Sequence, residues 1–146
     1  FEWHKFGSFR EDVKWNLLVH DVALLMKLWG YPKKSSLMYQ KGIISNGDMV
    51  SVQFLFTKNK TAHVFINRAS PIKRKAITLI TKNKNVYLWE NDVLLKLDKK
   101  NNTFKEILKP KSTALALECR AFLKTIPEKP DGSFGAKVVE VLSNLK

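Results

Sequence analysis

The sequence predicts an α+β domain with an open, mostly antiparallel sheet and helices packed on one face of that sheet. Three observations favour this class: an apolar helical segment early in the chain, a run of segments with alternating apolar residues between positions 49 and 108, and two helical patterns after Pro110. Helices collected on one face leave the opposite face open. We expect that open face to contact a partner.

The segment from Trp15 to Gly30 is predicted to form the first helix, because Gly30 and Pro32 are typical of a helix end. Apolar residues cover most of its surface, which indicates a helix buried on most sides. At about 100° per residue, four other positions share a strip roughly 60° wide. The members of this polar strip are Asn16, His20, Ala23 and Lys27.

A polar strip on a buried helix has two interpretations, because unpaired buried polar groups cost free energy. In the first, His20 is satisfied by a backbone carbonyl, and Asn16 and Lys27 reach solvent at the helix ends. In the second, His20 faces a cleft and transfers protons, since histidine titrates near neutral pH. The residues of the helix leave both interpretations open.

Before and after this helix, period-two patterns predict strands. The first six residues, Phe1–Phe6, are expected to form an edge strand, and 7–14 a polar loop. A weaker strand is expected at 35–43, and a clear hairpin at 49–56 and 61–67 around the turn 58–60. One face of that hairpin is apolar, with Val50, Val52, Phe54, Phe56, Ala62, Val64 and Ile66.

Further strands are expected at 75–81, at 86–89 and 93–97 as a hairpin around Asn91-Asp92, and at 104–108. The tail predicts two helices. One is capped by Ser112, with an apolar face of Leu115, Cys119, Phe122 and Ile126, and ends at Pro127 and Pro130. The last begins at Asp131 or Ser133, with Val138, Val141, Leu142 and Leu145 on one face. Cys119 is therefore expected to be a small core residue.

The formal net charge is +13, a value that raises the possibility of nucleic-acid binding. The excess is lysine, however, because the 26 basic residues include only four arginines. The lysines are spread along the chain, whereas nucleic-acid readers favour arginines and clustered basic faces. Solvated loops explain this pattern at least as well, so neither a nucleic-acid partner nor a membrane span is expected.

Several other function classes lack their motifs. The six glycines never form Gly-x-Gly-x-x-Gly after a strand, so no cofactor-binding residue is predicted. The three histidines have no metal-ligand spacing, and the single cysteine allows no intrachain disulfide. We expect no metal site, and a reducing, cytoplasmic location.

Three segments in the correct order resemble one family. The run WNLLVHDVALLMKLWGYPKK resembles Trp-Asp-x-x-x-His-Asp followed by an apolar helix ending in Gly-x-Pro. This pattern is typical of the C-terminal domain of the glucose–fructose oxidoreductase, inositol dehydrogenase and rhizopine catabolism (Gfo/Idh/MocA) family. The tail TALALECRAFLKTIPEKPDGSFGAKVVEVLSNL and the hairpin DMVSVQFLFTKNKTAHVFINRAS are similar to the corresponding family segments. The resemblance covers nearly the whole chain.

The resemblance implies that residues 1–146 are a single C-terminal substrate and oligomerisation domain, without the dinucleotide-binding domain that precedes it in the family. It places proton transfer or a substrate-hydroxyl contact on His20 and puts Asn16 where the family has an acid. An asparagine can position a hydroxyl but cannot act as a base. Lys27 and Arg68 are two further candidate substrate-binding residues. For Arg68, the simpler interpretation is a position on a solvated loop.

The leading hypothesis is thus one domain of an NAD- or NADP-dependent oxidoreductase acting on a sugar, polyol or nucleotide-sugar hydroxyl. The chain alone is expected to be inactive and to bind neither cofactor tightly, and a homo-oligomer is expected through the open sheet face. Two alternatives remain: a non-catalytic relative that binds a sugar or a partner, and, from charge alone, a nucleic-acid binding module.

Overall fold

The structure is a computed structural model that describes residues 1–4, 11–44, 47–125 and 132–146. These residues divide into two compact units, Phe1–Ala76 with Phe134–Lys146, and Ile77–Ser133. The elements follow the predicted order of strand, helix, antiparallel strands and two helices, which confirms the α+β class. The strands are β1 Glu2–His4, β2 Lys34–Lys41, β3 Met49–Leu55, β4 Thr61–Asn67, β5 Arg74–Ile80, β6 Val86–Glu90, β7 Val93–Asp98 and β8 Thr103–Leu108. The helices are α1 Val19–Trp29, α2 Ala114–Thr125 and α3 Ser133–Ser143.

In the first unit the strand order is β2-β3-β4-β1-β5. The β2-β3 and β3-β4 pairs are antiparallel, β1 is parallel to β4, and β5 is antiparallel to β1. The expectation of an edge strand at the start of the chain is wrong, because β1 lies between two strands. Its backbone is hydrogen-bonded on both sides, a place that suits a short, half-buried strand.

The core of the first unit lies between one face of this sheet and the two helices α1 and α3. The alternating residues of β3 and β4 supply the sheet side, as predicted: Val50, Val52, Phe54, Ala62, Val64 and Ile66 are buried. The helices supply Leu18, Val22, Leu25, Met26, Val138, Val141 and Leu142. Both helices therefore pack on the same face. Truncating the 1% exposed Phe54 to alanine would cost about 3–5 kcal/mol.

The first helix begins with a π-helical turn, Lys14–Leu18, that continues directly into α1. It ends as predicted at Gly30, whose positive φ of 83° suits a residue without a Cβ. The expectation that this helix is buried on most sides is wrong. Leu24 and Leu28 are exposed, because a helix on one sheet face can bury only the side that contacts the sheet and its neighbours.

The second unit contains the antiparallel meander β6-β7-β8 and helix α2. The predicted hairpin turn is confirmed, since Asn91 and Asp92 both adopt positive φ. Helix α2 is capped by Thr113, whose Oγ1 accepts the Ala116 N–H at 3.2 Å, and not by Ser112 as expected. The expectation for Cys119 is also wrong, because this residue is exposed.

Some expectations fall outside the described residues. They concern the end of the first strand, the first half of the polar loop at 7–14, and the segment 126–131 with its two prolines. The side chain of Phe122 is likewise not described. No helix among the residues that the structure covers is long and apolar enough to cross a membrane.

Candidate functional site

The exposed side of α1 carries the predicted chemical residue. His20 is exposed, and so are Leu24 and Leu28, at 39% and 59%. These three residues recur at four-residue intervals, so they lie along one side of the helix. Around His20 the helix therefore presents an imidazole beside an apolar strip, an arrangement in which a ligand or another protein surface could contact the histidine.

Asn16 lies in the π-helical turn immediately before α1. Its Nδ2 donates to Oε2 of Glu11 at 3.0 Å. Because a π-turn advances by fewer degrees per residue than an α-helix, the angles that placed Asn16 and His20 in one strip do not apply to Asn16. Single π-turns in helices are frequent at functional sites, and this one contains Asn16 and precedes His20.

The turn is held in place by the segment that precedes it. Asp12 accepts the Lys14 N–H through Oδ1 at 2.8 Å, and its backbone carbonyl accepts the N–H groups of Trp15 and Asn16. Gly47 packs directly against this aspartate, since a Cβ on Gly47 would lie 2.6 Å from the Asp12 carboxyl carbon. A side chain at position 47 would force the Asp12 carboxyl group to shift, and the positive φ of 77° at Gly47 also favours glycine.

Arg68 is not on a solvated loop, and that interpretation is wrong: the residue is 5% exposed. Its Nη2 lies 2.8 Å from Oδ1 of Asp48, and its Nη1 donates to the backbone carbonyl of Glu11. These contacts join the end of β4 to the approach to the π-turn. A substrate-binding role for Arg68 stays a prediction, and the contacts that are present support structure.

Lys27 is exposed on α1, and its Nζ lies 4.4 Å from the ring centroid of Phe134 on α3. This distance is within the range of a cation–π interaction. The contact links the two helices near their exposed sides. A ligand would compete with the Phe134 ring for this ammonium group. The substrate-binding role of Lys27 stays a prediction.

Asp21 is a titratable residue that sequence reasoning did not assign to the site. It is 3% exposed on α1, and its Oδ2 has no hydrogen-bond partner among the residues that the structure describes. Burial raises the pKa of this carboxyl to about 6, while the positive charge of Lys75 acts in the opposite direction. In the sequence, Asp21 lies about 100° around the helix from His20. That angle was the signal that Asp21 faces a different side from the polar strip.

The other two histidines lie on the sheet face opposite the helices. His63 is exposed on β4, as expected for a sheet-face residue, and its Nε2 lies 2.9 Å from the Ser51 hydroxyl. His4 contacts the Phe65 ring edge-on, with ring centroids 5.6 Å apart. Within the described ranges, no three His, Cys, Asp or Glu side chains form a group that could hold a metal ion.

A nicotinamide dinucleotide does not fit the residues around α1. Such cofactors place their pyrophosphate on free N–H groups at a helix N-terminus. Here the Asp12 side chain and carbonyl already accept the N–H groups of Lys14, Trp15 and Asn16. The carboxylates of Glu11 and Asp12 would also repel a pyrophosphate. We derive no step of hydride transfer from this chain.

The fold has counterparts among solved structures. It matches UDP-N-acetylglucosamine 3-dehydrogenase from Acidithiobacillus ferrooxidans with a TM-score of 0.69 and 20% identity, covering 99% of this chain and 50% of the other. It matches levoglucosan dehydrogenase in complex with NADH and levoglucosan with a TM-score of 0.64 and 13% identity, covering 98% and 56%.

A third match is biliverdin reductase from Synechocystis in complex with biliverdin and NADP⁺, with a TM-score of 0.65, 12% identity, and coverage of 97% and 52%. No protein-family model and no curated protein matches the sequence. The chain spans about half the length of the oxidoreductases it matches. The expected fold, that of one domain of such enzymes, is thus confirmed.

Proposed function

We propose that this chain is the substrate and oligomerisation domain of a Gfo/Idh/MocA-type oxidoreductase that uses NAD or NADP. One observation carries the proposal: the structural match extends over nearly this whole chain but over only about half of each of the two dehydrogenases. The three sequence segments of the resemblance support the same assignment independently. The proposed substrate is a sugar, polyol or nucleotide-sugar hydroxyl, and the cofactor is held outside this chain.

His20 is the proposed proton-transfer residue. Its exposure on α1 leaves the imidazole accessible to a substrate, and histidine is suited to accept or donate a hydroxyl proton near neutral pH. Asn16 is the proposed neighbour that positions a hydroxyl. In the intact protein a nicotinamide cofactor would supply the hydride chemistry, and no residue of this chain is assigned to that chemistry.

A second candidate function is binding without catalysis. In that case the chain belongs to a non-catalytic relative that binds a sugar or a partner through the same surface. The amide of Asn16, where the resemblance implies an acid, favours this alternative. It predicts that replacing His20 changes binding or stability and leaves no catalytic deficit. The nucleic-acid module is not proposed, because its only support is the net charge.

The assay compares variants of the intact protein that contains this chain, with levoglucosan and UDP-N-acetylglucosamine as probes and NAD⁺ or NADP⁺ as oxidant. His20→Ala should lower turnover by about 10²- to 10⁴-fold, the usual effect of removing a general acid or base. The control is His63→Ala, because His63 is also exposed but lies on the opposite sheet face.

The melting temperature of each variant is measured on the same preparation. An unchanged turnover per folded His20→Ala molecule, or equal losses in both histidine variants, would contradict the proposed catalytic role. Homo-oligomerisation through the open sheet face and a cytoplasmic location are further parts of the proposal. The surface that it assigns to subunit contact is the one with Ser51, His63 and Phe65.

A further inference from the structure

Glu11 places a carboxylate next to Asn16, the position at which the resemblance implies an acid and this sequence has an amide. Its Oε2 accepts a hydrogen bond from Asn16 Nδ2 at 3.0 Å. Glu11 is exposed, whereas Asn16 is half-buried. The carboxylate therefore lies on the solvent side of the π-turn, within one hydrogen bond of Asn16, and the two residues are five positions apart in sequence.

The backbone of Glu11 is fixed from the interior. Its carbonyl oxygen accepts a hydrogen bond from Nη1 of Arg68. Arg68 is in turn paired with Asp48, whose Oδ2 also accepts the N–H groups of Ile43 and Ile44 at 2.8 and 2.5 Å. A buried ion pair thus anchors the main chain of Glu11, and Asn16 holds its carboxylate. Two independent contacts set the position of this group.

We propose that Glu11 and Asn16 form a hydroxyl-binding pair of the substrate site, an inference that rests on the proposed function. An ionised carboxylate is acceptor-only, with about four lone-pair positions, and the hydrogen bond from Asn16 uses one of them. The Asn16 carbonyl oxygen adds another acceptor. The pair consequently presents several adjacent acceptors and a negative charge toward solvent.

This arrangement selects a chemical class of ligand. Neighbouring hydroxyl groups of a neutral sugar or polyol can donate to these acceptors together, and a hydrogen bond to a charged acceptor is stronger than a neutral one. A carboxylate or phosphate at the same place would meet a like charge and would be disfavoured. The part of the substrate that contacts Glu11 is thus a neutral polyhydroxyl group.

The test is an NMR titration of the isotope-labelled chain with levoglucosan, a neutral probe, and with gluconate, an anionic one. The side-chain amide resonances of Asn16 are the readout. Levoglucosan should shift them saturably in the millimolar range and bind more tightly than gluconate. Glu11→Gln should weaken levoglucosan binding about tenfold or more and reduce the difference between the probes.

Glu106→Gln is the matched control, because Glu106 is an exposed glutamate on β8 in the other unit. It should leave both titrations unchanged. Equal levoglucosan affinity in Glu11→Gln and the unsubstituted chain would overturn the proposal, and so would the absence of a saturable shift at Asn16. The Glu11→Gln spectrum must retain the dispersed resonances of the folded chain, which its exposure predicts.

Failure of this inference is distinguishable from failure of the proposed function. If His20→Ala abolishes turnover in the intact protein while Glu11→Gln leaves probe binding unchanged, only the assignment of Glu11 is overturned. If Glu11→Gln weakens binding while His20→Ala leaves turnover unchanged, Glu11 is supported as a ligand residue and the catalytic proposal is contradicted.

Discussion

Nη2 of Arg68 lies 2.8 Å from Oδ1 of Asp48 in an ion pair whose side chains are only 6% and 2% exposed. The pair connects the residue that follows β4 with the residue that precedes β3. A second hydrogen bond runs from the Arg68 N–H to the Asp48 carbonyl at 2.9 Å. The same guanidinium reaches the main chain of Glu11, so one buried contact joins the hairpin end to the start of the helical segment.

Arg68→Ala should lower the free energy of unfolding by about 3–5 kcal/mol, because it leaves Asp48 as an uncompensated buried charge. Chemical denaturation measures this change. The control is Arg74→Ala, which removes the Arg74–Glu2 pair, whose side chains are 47% and 49% exposed. An exposed pair of this kind should cost about 0–1 kcal/mol. Equal losses in the two variants would show that burial does not decide the effect.

The buried carboxyl of Asp21 should make folding stability depend on pH. Since its pKa is raised to about 6, the folded chain holds this proton more tightly than the unfolded chain does. This group is therefore not destabilising below about pH 3, where both states are protonated, destabilises the folded chain progressively as pH rises from there toward 6, and has a constant cost above that. The full difference corresponds to about 3 kcal/mol at 1.36 kcal/mol per pKa unit.

The Asp21→Asn variant tests this by difference. Its unfolding free energy relative to the unsubstituted chain should rise by about 2 kcal/mol between pH 4 and pH 6.5 and then stay nearly level. Any change in stability that the amide causes independently of pH is the same at both pH values, so it cancels in the difference between them. Asp92→Asn, at an exposed hairpin turn, is the control and should show a difference that does not change with pH. A flat difference for Asp21→Asn would contradict the raised pKa.

The chain by itself should not bind NAD⁺ or NADP⁺ with micromolar affinity. Asp12 already occupies the N–H groups at the start of the helical segment, and the sequence has no glycine-rich turn for a pyrophosphate. Isothermal titration calorimetry at low and physiological salt measures this. Micromolar binding in both buffers would contradict the prediction, whereas binding only at low salt would indicate attraction by the net charge of +13.

The sheet face opposite the helices should mediate self-association of the intact protein. Phe65 on β4 is half-buried on that face, and Leu55 on β3 is 37% exposed. Phe65→Lys should shift sedimentation toward smaller species, because it places a charge in the contact. Ile72→Lys, at a 70% exposed loop position, is the control and should leave the distribution unchanged. A concentration-independent monomer without substitutions would refute the assignment.

The local pattern of the chain was sufficient to predict its elements and most of its core. Alternation in β3 and β4 and the four-residue spacing in α3 appear directly in the sequence, because burial follows periods of 2 and 3.6 residues. Gly30 and the Asn91-Asp92 pair marked their turns through their tolerance of positive φ. His20 was predicted as a site residue from its place on the first helix and from the resemblance; the structure shows it exposed on α1, and its chemical role stays a prediction.

Tertiary structure decided the features that depend on partners distant in sequence. Glu11 and Arg68 are 57 residues apart, and no local pattern predicts that a guanidinium will bind that carbonyl. The burial of Asp21 depends on how α1 packs in the fold. The interior place of β1 depends on which strands pair. The π-turn at 14–18 changed the angular relation of Asn16 to His20. Sequence thus determined which residues form each element, and packing between elements determined which polar groups meet.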